Sequence, residues 1–102
     1  MKLAITPSAI DWFKREIVLE SGMGIRFFGK VYGKTQVHDG FSVGLSVDRP
    51  EHPLTSETIE DILFFVEETD EWFFKGYDMT VDYDEKLDEP MYLFTEEQTV
   101  SA

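Results

Sequence analysis

Apolar residues along this chain change their period several times, and each change marks an element. After a short start at residues 2–5, Thr6-Pro7 supplies a helix N-cap followed by a proline where a missing N–H costs nothing. Ile10, Phe13 and Ile17 then recur at i, i+3 and i+7, while Asp11, Lys14 and Arg15 fall elsewhere on the wheel. This spacing predicts an amphipathic helix over residues 7–19, ended by Gly22 and Gly24.

From residue 25 to 32 the period drops from 3.6 to 2. Arg26, Phe28, Lys30 and Tyr32 share one face of a predicted strand, and Ile25, Phe27, Gly29 and Val31 share the other. Residues 41–47 alternate more cleanly, with Phe41, Val43, Leu45 and Val47 inward and Ser42, Gly44 and Ser46 outward. Residues 33–40 read as the loop joining two antiparallel strands. Pro50 and Pro53 then break the pattern.

Residues 55–75 are open to two readings. Ile59, Ile62, Leu63, Val66, Asp70 and Phe73 lie near helical spacing, yet residues 62–66 also form the short apolar run of a buried strand. Further on, Met79, Val81 and Tyr83 alternate with Asp78, Thr80, Asp82 and Asp84, a strand with one acidic face. A last apolar piece spans residues 91–94. A helix followed mostly by strands predicts a small α+β domain, with residues 1–102 as one unit.

Composition narrows the possibilities. The 102 residues include 21 acidic and 9 basic side chains, for a formal charge of −12, but 42% are hydrophobic, which argues for a folded core over disorder. Residues 1–50 hold 7 basic and 5 acidic side chains, whereas residues 51–102 hold 2 and 16. Such an acidic half repels the phosphate backbone of nucleic acid and an anionic membrane surface, so neither is an expected partner. No apolar run is long enough for a membrane span and no signal peptide is evident, so a cytoplasmic protein is expected. Cysteine is absent, which excludes disulfides, thiolate ligands and a cysteine nucleophile.

The order of parts resembles a known family. An opening LAITPSAIDWFKREI helix leads to a GIRFFGKVYG strand and loop, then GFSVGLSVDRPEHP, ILFFVEETDEWFFKG and YDMTVDYDEKL. This run, roughly residues 2–84, resembles the HesB/IscA-like family (A-type iron–sulfur carriers), and especially its cysteine-free, acidic bacterial branch. The resemblance implies a compact β-rich α+β fold, the N-terminal helix packed on antiparallel and mixed strands. It also implies a strand near residues 62–67 and a short helix near residues 70–74. Working members of the family hold iron or a cluster with one cysteine in the loop after the first long strand and a Cys-Gly-Cys near the C-terminus. Here those regions read GKTQVHDG and DEPMYLFTEEQ, so none of the three ligand positions carries sulfur and no cofactor is expected.

Several constellations carry candidate chemistry, each beside a plainer reading. His38-Asp39 lies in the loop where the family's first ligand would fall, and Glu51-His52 lies between the two prolines. Together, His38, Asp39, Glu51 and His52 are the candidate metal ligands, for iron or another divalent ion. Against this, two dispersed imidazoles without a thiolate are a thin donor set, and Asp39-Gly40 suits a solvated turn. Asp78, Asp82 and Asp84 suit weak divalent binding, solvation, or charge pairs with Arg26, Lys30 and Lys34 on a neighbouring strand. Glu67, Glu68, Asp70 and Glu71 favour the positive end of a short helix. Trp72, Phe73 and Phe74 read as core or as a subunit contact within a homodimer; an exposed Trp72 would instead mark a binding surface. No phosphate loop or nucleophile elbow is present, so no catalytic residue is assigned. The expectation is a non-enzymatic binding or accessory protein, tied to iron–sulfur cluster biosynthesis by resemblance of fold. The alternatives are metal binding and an acidic interaction module docking an unidentified protein.

Overall fold

Thr6 starts the first helix by the mechanism its position predicts. In the computed structural model, which describes residues 1–30 and 42–97, its hydroxyl accepts from the Ala9 N–H at 3.2 Å. Strand β1 (Leu3–Ile5) leads into this cap, and α1 (Pro7–Glu16) follows with Ala9, Ile10 and Phe13 buried. The helix stops three residues before the predicted end. Ile17 is already extended, at φ −125° and ψ 130°, and Gly22 takes its left-handed turn (φ 82°) only after an irregular stretch. Two β-branched residues, Ile17 and Val18, disfavour another helical turn. Ile17 and Leu19 still reach the core from beyond the helix.

Among the described residues, seven strands form two sheets. One has the order β3-β2-β5-β4, from β2 (Gly24–Lys30), β3 (Ser42–Asp48), β4 (Pro53–Ile59) and β5 (Ile62–Glu67). The other has the order β1-β6-β7, with β6 (Tyr77–Asp84) and β7 (Glu89–Glu96). Strands β2 and β3 pair antiparallel, as the alternation predicts, while β2–β5 and β1–β6 are parallel. Residues 62–67 are a strand, settling the ambiguous stretch. The strand β4 before it pairs antiparallel with β5 through a two-residue turn at Glu60-Asp61, both with positive φ (50° and 68°). That sign is what a tight hairpin turn requires to match strand twist. The loop expected at residues 33–40 lies outside the described residues.

After β5, a 3-10 turn (Glu68–Asp70) and a four-residue helix α2 (Glu71–Phe74) fold the chain back onto β2. Gly29 makes this possible, because a Cβ there would lie 2.6 Å from Phe73 Cγ. Phenylalanines fill the space between the sheets. Phe27 stacks on Phe64 at 6.1 Å and meets Phe13 and Tyr92 edge-on, while Phe94 of β7 meets Phe73 and Phe74. Val47, expected to face inward, is 40% exposed; it stands at the end of edge strand β3, beyond the core's reach. Burial pushes the Tyr92 hydroxyl well above its usual range.

Candidate functional site

Glu51 and His52 precede β4, and the structure shows what their backbone is used for. Glu67, the last residue of β5, is buried, and its two carboxylate oxygens accept from the N–H groups of Glu51 and His52, each at 2.7 Å. The His52 carbonyl in turn accepts from the Glu68 N–H at 2.9 Å. Glu67 therefore fastens the proline-flanked corner to the end of a buried strand. His52 and Glu51 are themselves exposed. His38 and Asp39 lie outside the described residues. Among the described residues no three of His, Asp and Glu come together so as to hold a metal ion.

Changing Glu67 to glutamine should test this reading of the corner. Hydrogen bonds to a charged group contribute about 1.5–3 kcal/mol each, and the amide keeps only one acceptor oxygen. The unfolding free energy is expected to fall by about 1.5–3 kcal/mol, read from urea titration. An unchanged midpoint would show that the corner does not depend on the carboxylate.

Beside this corner, Arg26 rises from the outward face of β2. Its Nη2 donates to Asp70 Oδ2 at 2.7 Å, and its Nη1 lies 3.7 Å from Asp48 Oδ2. The guanidinium also stands 5.6 Å from the centre of the Phe28 ring. The hydrogen bond to Asp70 holds the guanidinium above its ordinary range, against partial burial. Thus Asp70, expected to favour the start of a short helix through its charge, is committed to an arginine 44 positions away. It makes no side-chain cap to α2.

A second polar cluster locks α1 to the β6–β7 turn. Trp12 Nε1 donates to the Asp88 carbonyl at 2.9 Å, the Tyr83 hydroxyl donates to Asp88 Oδ1 at 2.7 Å, and Arg15 pairs with the same carboxylate. The Tyr83 hydroxyl, with Arg15, holds Asp88 below the usual carboxylate range.

The acidic strand face is real, but Arg26 and Lys30, two of its expected cations, are elsewhere, and the third, Lys34, lies outside the described residues. Asp78, Asp82 and Asp84 belong to the β1-β6-β7 sheet, and Arg26 and Lys30 to the other. Asp78 instead accepts from the Lys2 N–H, Asp82 from the Thr6 hydroxyl and Asp84 from the N–H groups of Lys86 and Leu87. Trp72 is 53% exposed, while Phe73 and Phe74 are fully buried. Trp72 is therefore surface, not core. Sequence reading did not identify the buried roles of Glu67 and Asp70; an acid directly abutting an apolar run was the available signal for Glu67.

Iron–sulfur chemistry does not fit the donors present. The chain has no thiolate, and the carboxylates of the polar clusters are engaged by backbone N–H groups, hydroxyls and Arg26 or Arg15. No helix among the described residues is long and apolar enough to cross a membrane.

Comparison with known proteins supplies a lineage and a fold. No protein-family profile matches the chain. A Bacillus subtilis protein named pyruvate dehydrogenase inhibitor is 39% identical over 92 residues, spanning 90% of this chain and 97% of that protein. An uncharacterised protein of Staphylococcus saprophyticus is 32% identical over 95 residues, with coverage of 90% and 97%. Among solved structures, Escherichia coli SufA, described as involved in biosynthesis of iron–sulfur clusters, superposes with a TM-score of 0.57. That superposition covers 94% of this chain and 86% of SufA at 18% sequence identity, a likeness of fold alone. The HesB/IscA-like fold expected from the sequence is thereby shown.

Proposed function

The chain belongs to the family of the Bacillus subtilis pyruvate dehydrogenase inhibitor, and from that premise we propose that it is a non-catalytic protein that binds and restrains a pyruvate dehydrogenase. The relationship across 97% of the named relative carries this reading. Three physical features support it. The chain has the carrier fold without the carrier's sulfur, its polar clusters are engaged in holding elements together, and its surface is strongly acidic. A fold does not fix a function, so descent from a cluster-carrier scaffold is compatible with a role in binding alone.

The test is calorimetric titration of the purified chain into purified Bacillus subtilis pyruvate dehydrogenase, with and without EDTA. Saturable binding that weakens as salt rises and is indifferent to EDTA is expected, because the attraction includes exposed charges. No detectable binding at low salt would overturn the proposal. Binding abolished by EDTA and by His52→Ala would point instead to a metal held by His38, Asp39, Glu51 and His52.

A further inference from the structure

The β1-β6-β7 sheet covers the core with one face and presents the other to solvent. Inward, β6 and β7 place Met79, Val81 and Phe94 in the core. Outward, their eight alternating positions carry four acids (Asp78, Asp82, Asp84 and Glu89), two apolar residues (Met91 and Leu93) and two threonines, with no lysine or arginine. Two features of this face work against stability. Asp84 stands directly opposite Glu89 in the β6–β7 register, and like charges so placed repel. Met91 and Leu93 leave 37% and 41% of their surface in water at the middle of the same strand, where a polar residue would serve the sheet equally well.

A partner carrying both cations and apolar side chains relieves both features at once. The acids are held in place for such a partner. Asp82 accepts from the Thr6 hydroxyl and the Tyr83 N–H, and Asp84 from two turn N–H groups. A carboxylate offers about four acceptor sites, so each has further lone pairs for an outside donor. Because no three acids converge on one point among the described residues, the face suits cations spaced along a protein segment better than a single metal ion. A second copy of this chain would bring −12 of its own charge against it. Lys2 stands at the Asp78 end of the face; in the turn between Asp84 and Glu89, Lys86 is offset by Glu85 and Arg15 by Asp88, so Asp82, Asp84 and Glu89 leave that end net negative.

We propose that this outward sheet face is the docking surface for the partner enzyme, and that it receives a basic segment whose apolar side chains cover Met91 and Leu93. The proposal rests on the function proposed above and adds where the partner sits and what chemistry it presents.

Three variants, titrated into Bacillus subtilis pyruvate dehydrogenase, test it. Glu89→Lys and Leu93→Ala should each weaken binding by about tenfold, the effect of a residue central to an interface. Glu57→Lys, an equal charge change on exposed edge strand β4 of the other sheet, should stay within about twofold, as remote rim charges do. Glu89→Lys should also hold or raise the urea midpoint, because it replaces repulsion from Asp84 with attraction, so lost binding cannot be lost folding. Wild-type affinity in both Glu89→Lys and Leu93→Ala would overturn this surface while leaving the inhibitor reading intact. Equal weakening by Glu57→Lys would overturn it in favour of overall charge. Failure of the wild-type chain to bind would overturn both the surface and the reading beneath it.

Discussion

Replacing Phe27 with alanine should lower the unfolding free energy by about 3–5 kcal/mol, the cost of removing a large aromatic side chain from a close-packed core. Phe27 is fully buried and touches three parts of the molecule: Phe13 of α1, Phe64 of β5 and Tyr92 of β7. Its ring thus joins the helix and both sheets, and the surrounding elements cannot collapse into the void without moving against one another. A domain of this size has about 5–15 kcal/mol in total, so the variant should lie near the limit of folding. Urea titration reads the effect as a lowered midpoint at unchanged slope. A loss below about 1 kcal/mol would mean that the two sheets are not held together through this ring.

Arg26→Met is expected to cost about 2–4 kcal/mol, somewhat below the range for a fully buried pair because the Arg26 side chain remains 28% exposed. The cost arises mainly from what is left behind, since the Asp70 side chain is only 10% exposed and would lose its cation. The double variant Arg26→Met with Asp70→Asn should recover more than half of the loss. A mutant cycle should show a coupling of about 1–3 kcal/mol, since residues in direct contact are not independent. Simple additivity would show that Asp70 is stabilised by something other than Arg26. Little salt dependence is expected, because the pair is shielded from solvent on the Asp70 side.

How far the sequence discloses this molecule depends on whether each feature is local. The Thr6-Pro7 start, the alternation of Ile25 and Phe27 with Arg26 and Phe28, and the inward Met79 and Val81 all follow from backbone period and capping chemistry. They are found where the pattern predicts. Strand β4 was not legible. It is an edge strand with few apolar residues, and its turn uses Glu60-Asp61 where a glycine-containing pair is the usual signal. The early end of α1 was hidden because Ile17 reaches the core whether helical or extended. In α2 three consecutive aromatics cannot share one face at 100° per residue, so Phe73 and Phe74 turn inward and Trp72 is left outside. The candidate site shows the same division. The position of Glu51 and His52 at a proline-flanked corner was readable, but Glu67 holding that corner and Asp70 holding Arg26 are contacts between distant segments that no spacing rule reveals.

The rate of pyruvate oxidation by Bacillus subtilis pyruvate dehydrogenase, followed as the metal-free chain is titrated in, tests the inhibitor reading most directly. A saturable fall in rate that survives EDTA and reverses as salt is raised is the expected result. A rate unchanged at every concentration, or one lowered only after iron is supplied, would contradict it.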